Sequence, residues 1–526
     1  MQADLSGVDP LDINLAQRNV LGDLITRVAH TFPDRNALKG DDGTRTYREL
    51  DNVSNAVAHG ILDLGVRHQE PVAMLMGNSC GFVEAFFGVA KSGAVALPIN
   101  LAQSPADITY VLTDAAVETI IADSAFVPLL EQILPSLPLV ARVIVAGIEQ
   151  LPELPVEVAD FDVLRAGDTT PPRVAIDDSD IVHCLYSSGT TSAPKGVLTR
   201  HSSVVTAILS TAIIIGHKWG DDHSVYPIIL PLFHTTALDT LLLPILATGG
   251  TAIVFPGFEP LSYLKSLEED KATHIMLLPN MYAILLGHEA TEGLSFPDVR
   301  VAIYAMAPMP EARLKLLERL FPNAAAILGS GMTECVPPTV MQWPSHQAEK
   351  SGSWGAPVPS CEVQIVDADG SLLGRNETGE IVYRGPHVMR GYWNNADANT
   401  VTFRGGWMRT GDIGHIDDEG VVWFTDRAKD IVKSGGENVS SIEVERALLG
   451  NPAVLEAAVV GRADDRWGEA VTAVVVSNGN ITEKELLAYC KEQLSGFKVP
   501  KKIEFVDELP KTATGKIQKH RLRLPA

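Results

Sequence analysis

"EPVAMLMGNSCGFVEAFFGVAKSGAVALPIN", residues 70–100, sets two short apolar runs on either side of a segment whose apolar residues fall three and four apart. That order reads as strand, helix, strand. The runs are continuous rather than alternating, as strands of a buried sheet are. Outward from this unit the pattern repeats. "ETIIAD", "RVIVAG", "DIVHCLYSS", "GTAIVFP", "HIMLLP" and "RVAIYA" have the same character, and "PEARLKLLERLFPN" is a further helical stretch. The prediction is an α/β fold of layered, mainly parallel sheets. Past residue ~350 the character changes. "CEVQIVDADGSLL", "TGEIVYRG" and "GVVWFTDR" alternate and carry Asp-Gly and Glu-Gly turns, which predicts antiparallel hairpins in a β-barrel-like subdomain over about 350–427. Beyond it "SIEVERALLG", "VLEAAVVG", "AVTAVVVS", "TEKELLAYCKEQL" and "KIEFVDEL" read as helix, strand, strand, helix, strand. That is enough chain for a small separate α+β domain, and the expected division is 1–427 and 428–526.

The 526 residues, 46% apolar and 20% charged, exceed what one core accommodates. A net charge of −23 argues against a general binder of nucleic acid or of anionic membranes, both of which need a basic face. Cys80, Cys184, Cys335, Cys361 and Cys490 are scattered, without a CxxC pair or zinc spacing, and are expected to be buried thiols of a cytoplasmic protein. "MQADLSGVDPLD" lacks the regions of a signal peptide. The most apolar stretch, "ALDTLLLPILATGGTAIVF", is broken by Asp239, Pro244, Gly249 and Gly250, so no membrane insertion is expected.

Four stretches carry chemistry. "YSSGTTSAPKGVLTRHSS", residues 186–203, concentrates hydroxyls, glycine and Lys195, a composition that cradles phosphate oxygens through backbone N–H groups, hydroxyls and one cation. Gly189 and Lys195 stand at the Walker A separation, but Pro194 replaces the glycine before the lysine and Gly196 replaces the magnesium-binding Ser/Thr. A P-loop NTPase is therefore disfavoured. "GSGMTE", residues 329–334, fails as a dinucleotide fingerprint because Glu334 stands where the third glycine belongs. It offers instead the hydroxyl of Thr333 and the carboxylate of Glu334 to a nucleotide and its magnesium. In "RTGDIG" a carboxylate, Asp412, sits between glycines, where it suits the two hydroxyls of a ribose. Arg427 and Lys429 follow at the expected domain junction. Finally, "LPKTATGKIQKHRLR" projects Lys516 from a Thr-Gly turn ahead of a basic end.

In this order the four stretches resemble the adenylate-forming superfamily, the acyl-CoA synthetases with their luciferase and peptide-synthetase adenylation relatives, over essentially the whole chain. The resemblance implies an AMP-binding N-terminal domain and a mobile C-terminal domain hinged at Lys429. It implies that Ser187, Ser188, Gly189, Thr190, Thr191 and Lys195 close over the β- and γ-phosphates of ATP, with Thr333 near the α-phosphate and Glu334 on Mg2+. Asp412, assisted by Arg427, would hold the ribose, and Ala307, Pro308, Gly329 and Ser330 would flank the adenine. Lys516 would bridge the substrate carboxylate and the α-phosphate. His234 would gate an acyl pocket bordered by Ala305 and Met306, and Lys433 with Ser434, Gly435 and Gly436 would face CoA in a second half-reaction. The implied activity is an AMP-forming acid–CoA ligase, a monomer or homodimer, with ATP, CoA and a small carboxylic acid as substrates. Loading of a carrier protein and a luciferase-like oxygenase remain alternatives. "PKTATGK" has Thr-Gly where carrier-loading domains usually have Asn-Gly, and this favours CoA.

The chain departs from the family pattern around the pocket. Ala305 and Met306 stand where Gly-Gly is frequent, Ser330 where tyrosine is frequent, and Ser192 where glycine is usual. A flexible methionine filling space that glycine leaves open, next to an apolar run, points to a short-to-medium fatty or an arylalkyl acid.

Overall fold

The computed structural model describes residues 4–187, 194–305, 309, 311–464, 466–512 and 517–523. Strand Pro71–Leu75, helix Cys80–Ser92 and strand Val95–Pro98 form the expected unit, the two strands parallel with Val72 opposite Ala96. Ser79 Oγ accepts from the N–H of Phe82 to start the helix, and Gly93, at φ 81°, ends it. Every residue of this helix is buried, so its sequence is apolar nearly all round and its register is set by packing rather than by an amphipathic stripe.

These strands belong to an eight-stranded sheet in the order 391–392, 195–200, 181–187, 95–98, 71–75, 119–123, 142–146, 157–160. The six strands from 181–187 onward run parallel, and the first two are antiparallel additions at one edge. A second sheet, 274–276, 301–305, 325–332, 335–341, 356–357, shows the same change, parallel over its first three strands and antiparallel over the rest. A third sheet joins 225–228, 251–254, 36–40 and 43–46. The change of direction matters because a parallel strand must be re-entered through a crossover, whereas an antiparallel edge can present a tight loop.

Strands Glu362–Val366, Gly379–Arg384, Phe403–Arg404, Trp407–Ile416 and Val422–Arg427 form one antiparallel sheet. The last sheet is built on the long hairpin Val454–Asp464 and Gly468–Ser477, covered by helices Ser441–Leu449 and Glu483–Gln493 around a core of its own. All five cysteines are free and buried. Among the described residues no helix is long and apolar enough to cross a membrane. The apolar run after His234 folds instead as the π-helical segment Thr236–Leu242, helix Leu243–Ala247 and strand Thr251–Val254.

Candidate active site

Residues 187–195 do not lead from a strand into a helix, as a Walker loop does. They connect strand Ile181–Ser187 to strand Lys195–Arg200 as a hairpin, with Ser187 opposite Lys195, and the helix begins only at His201. The foot of the loop is anchored. The Tyr186 hydroxyl donates to Asp114 Oδ2 at 2.6 Å, and burial, then the neighbouring Cys184 and Asp114, push its phenol up and keep it a donor. The Tyr110 hydroxyl reaches the carbonyl of Pro194 at 3.4 Å. Ser188, Gly189, Thr190 and Thr191 lie outside the described residues, as do Met306, Ala307, Pro308 and Lys516.

"GSGMTE" is likewise a hairpin. Strands Ala325–Met332 and Cys335–Met341 pair with Met332 opposite Cys335, which leaves Thr333 and Glu334 at the tip. Gly329 lies opposite Ala305 of the adjoining parallel strand, so the expected adenine and acyl residues are neighbours. One stretch, 387–393, then binds the two hairpins to each other. The N–H of Met389 donates to the carbonyl of Glu334 and that of Val336 to the carbonyl of His387, both at 2.9 Å. Strand Gly391–Tyr392 pairs with Lys195–Arg200, and the N–H of Trp393 donates to the carbonyl of Gly196 at 2.8 Å.

Tyr392 is the meeting point. Its hydroxyl donates to Glu334 Oε1 at 2.8 Å, and the Lys195 ammonium stands 5.0 Å above its ring. Sequence reading missed this residue, since an aromatic in "RGYWN" carries no motif by itself. Burial, and then Glu334, push its phenol up, so it remains a donor to the carboxylate. Tyr392→Phe keeps the ring beneath Lys195 and removes one charge-assisted hydrogen bond. It is expected to lower adenylation by about tenfold with little change in thermal stability, checked by pyrophosphate release and a melting curve. Among the described residues no group of three or more His, Cys, Asp or Glu could hold a metal ion. A lone carboxylate such as Glu334 fits Mg2+ when phosphate oxygens and water complete its shell, the usual arrangement for that ion.

Asp412 is buried, 7% exposed, and lies directly across from Arg427 on the next strand, with Arg427 Nε 3.3 Å from its Oδ1. The N–H of Ala428 closes on the carbonyl of Gly411 at 2.9 Å, and Lys429 follows at once. Desolvation, reinforced by Arg427, holds the Lys429 ammonium below the ordinary lysine range.

His234 Nδ1 accepts from the N–H of Thr236 at 3.2 Å, at the head of the π-helical segment. That segment is pinned from inside. Asp239, fully buried, accepts from Thr235 Oγ1 at 2.7 Å and meets His183 Nε2 at 3.2 Å, while Thr240 Oγ1 donates to the carbonyl of Pro337 at 3.1 Å. Such wide turns are rare and need outside support of this kind. The sequence shows the apolar run but not the insertion.

In the last sheet, strands Val432–Ser434 and Glu437–Val439 are joined by Gly435 and Gly436, at φ 61° and 87°. Two positive φ values in a two-residue loop are the demand of a type I′ hairpin, and this, together with the Trp467 ring only 3.0 Å from where a Gly435 Cβ would stand, accounts for both glycines. The Lys433 side chain is exposed, whereas Ser434 is 2% exposed. Sequence reading also missed Trp467. Two cations lie near its ring, with Arg466 4.8 Å and Lys501 4.9 Å from the centroid.

The model of the AMP-binding enzyme family matches residues 25–393, and that of the AMP-binding enzyme C-terminal domain matches residues 443–516. The chain belongs to the AMP-binding enzyme family. Its membership bears out the resemblance to acyl-CoA synthetases of the adenylate-forming superfamily. Among its relatives is a feruloyl-CoA synthase of Amycolatopsis sp., 32% identical, with 96% of this chain and 98% of that one covered. Another is the long-chain-fatty-acid–CoA ligase FadD13 of Mycobacterium tuberculosis, 33% identical, covering 92% and 93%. Similar solved structures include the anthranilate CoA ligase AuaEII with anthranoyl-AMP, at TM-score 0.87 and 30% identity over 97% of this chain and 98% of that one. The o-succinylbenzoate CoA synthetase MenE of Bacillus subtilis with its acyl-adenylate follows at 0.84 and 30%, covering 97% and 99%. In this AMP-binding enzyme, residues 394–442, which carry Asp412, Arg427, Lys429 and Lys433, fall between the two matched segments.

Proposed function

We propose that this AMP-binding enzyme is an acid–CoA ligase acting in two half-reactions. A carboxylic acid attacks the α-phosphate of ATP to give acyl-AMP and pyrophosphate. The CoA sulfur then attacks the acyl carbon, the bond to the AMP oxygen breaks, and acyl-CoA and AMP are released. The observation that carries this reading is the meeting of two hairpins at Tyr392, which sets the Lys195 cation over the phenol ring and the Glu334 carboxylate at its hydroxyl. Relatives that bear CoA-ligase names over nearly the full chain support it.

The chemistry explains the residues. A carboxylate and a polyphosphate repel, so the reaction needs cations held in place before charge moves. In our reading Lys195 and the loop hydroxyls hold the β- and γ-phosphates, Thr333 lies by the α-phosphate, and Lys516 neutralises the carboxylate as it attacks. Glu334 holds Mg2+, which when bound supplies charge neutralisation at the phosphates. Asp412 accepts from the ribose hydroxyls while Arg427 orients it. The adenine lies along Gly329 and Ser330, with Ala307 and Pro308. For the second half-reaction, the domain from residue 428 pivots at Lys429 and brings Lys433 and the Gly435–Gly436 turn to the site. The Trp467 face, flanked by Arg466 and Lys501, suits a flat base bearing phosphates, as CoA has.

The acid is apolar, a short-to-medium fatty or an arylalkyl acid. Supporting this are the buried apolar π-helical segment behind His234 and relatives named for feruloyl, 4-coumarate and indoleacetate substrates. The test is mass spectrometry of thioesters formed from Mg-ATP, CoA and an equimolar pool of acids, from acetate to palmitate with benzoate, cinnamates and arylacetates. One dominant apolar acyl-CoA is the expected result. AMP and pyrophosphate without any thioester would overturn CoA as the acceptor.

A further inference from the structure

Asp412 does not stand on regular strand. In the pairing of Gly379–Arg384 with Trp407–Ile416, Glu380 lies opposite Ile413 and Val382 opposite Arg409, so Ile381 alone faces Thr410, Gly411 and Asp412. Three residues against one make a special bulge, which turns the following side chain away from the direction the pleat would give it. A bulge interrupts the ladder, and its polar groups need other partners.

Glu380 supplies two of them. Its Oε1 accepts from the N–H of Gly411 at 2.9 Å, and its Oε2 lies 3.1 Å from Arg409 Nε. Neither partner is freely solvated, the side chains of Arg409 and Glu380 being 13% and 21% exposed. The remaining partners complete a closed set. Thr410 Oγ1 donates to the carbonyl of Ile381 at 2.6 Å and accepts from the N–H of Asp412 at 3.0 Å, and the Gly411 carbonyl accepts from Ala428. Gly411 holds a φ of 74°, so the bulge has little tolerance for a side chain there. Both carboxylate oxygens of Glu380 are thus spent on the residues immediately before Asp412.

We propose that Glu380 is a positioning residue for nucleotide recognition: by holding residues 409–411 it fixes the direction of the Asp412 carboxylate toward the ribose hydroxyls. This rests on the reading of Asp412 as the ribose partner. A residue that merely stabilised the sheet would affect all ligands alike. One that aims Asp412 affects the nucleotide with the 2′-hydroxyl more than the one without it.

The experiment is calorimetric binding of Mg-ATP and Mg-2′-deoxyATP to the full chain, which needs no knowledge of the acid. Asp412→Asn is expected to bring the preference for ATP close to unity. Glu380→Ala is expected to reduce the same preference by about tenfold, the loss of one charge-assisted contact. The double variant is expected to be no less selective than Asp412→Asn alone, because both changes act on one interaction. Glu380→Gln keeps an acceptor for Gly411 and falls between wild type and alanine, and it carries the test should the alanine variant not fold. Equal weakening of both nucleotides by the Glu380 variants, with Asp412→Asn still selective in its effect, overturns the positioning role alone. An unchanged preference in Asp412→Asn overturns the ribose reading and this proposal with it.

Discussion

Alanine at Lys516 is expected to slow acid-dependent pyrophosphate release by about a thousandfold, while acyl-adenylate supplied ready-made still reacts with CoA within a few-fold of the normal rate. The asymmetry follows from where charge develops. In the first half-reaction an anionic carboxylate approaches an anionic phosphate, and removing one positioned donor from such a transition state costs about 10²–10³ in rate. In the second, a thiol attacks a mixed anhydride whose leaving group is already a good one, and no second anion must be brought up to phosphorus. The two rates are measured separately, by a pyrophosphate assay and by quenching a synthetic adenylate with CoA. Equal loss in both steps would remove the assignment of Lys516 to adenylation.

Glu334→Gln should lower the adenylation rate by about a hundredfold and raise the Mg2+ concentration needed for half-maximal rate. The substitution is nearly isosteric and leaves an amide oxygen to accept from the Tyr392 hydroxyl, so the hairpin tip keeps its anchor. What is lost is the negative charge. Rates measured against free Mg2+ at fixed ATP separate the two effects. A drop in rate with an unchanged Mg2+ dependence would assign Glu334 to shaping the loop through Tyr392 and remove it from the metal. The milder loss expected for Tyr392→Phe fits the same picture, since that variant keeps the carboxylate and loses only its tether.

The secondary structure was largely legible because its signals are local. The unit at residues 70–100 reads as strand, helix, strand and folds as Pro71–Leu75, Cys80–Ser92 and Val95–Pro98. The alternating stretches after residue 350 are antiparallel strands, and the last hundred residues contain the expected helices and strands. Loops were less legible. "SSGTTSAPKGVLTR" and "GSGMTE" each close a hairpin, because an edge strand was available to receive the returning chain. Nothing within a few residues of Lys195 or Glu334 records that edge. The glycines of "SGGEN", expected to face CoA, are required in the first place by a turn with two positive φ values. Tyr392, Glu380, Trp467 and the His183–Asp239 pair went unread for a common reason. Each is an ordinary residue until a segment far away in sequence is placed against it, as Glu334 is against Tyr392.

The α/β class and the family, together with the motif residues expected at phosphate, ribose and carboxylate, follow from the sequence alone, since hydrophobic periodicity and short motifs act within about ten residues. The tertiary structure decided which of those residues meet and in what direction they point. Strand 391–392 docks beside 195–200, the 387–393 stretch ties down the Glu334 tip, and a three-residue bulge turns Asp412 toward Arg427. Cross-strand register is a property of the whole packed sheet, where a shift of one residue reverses every side chain, and no local stretch of chain contains that information.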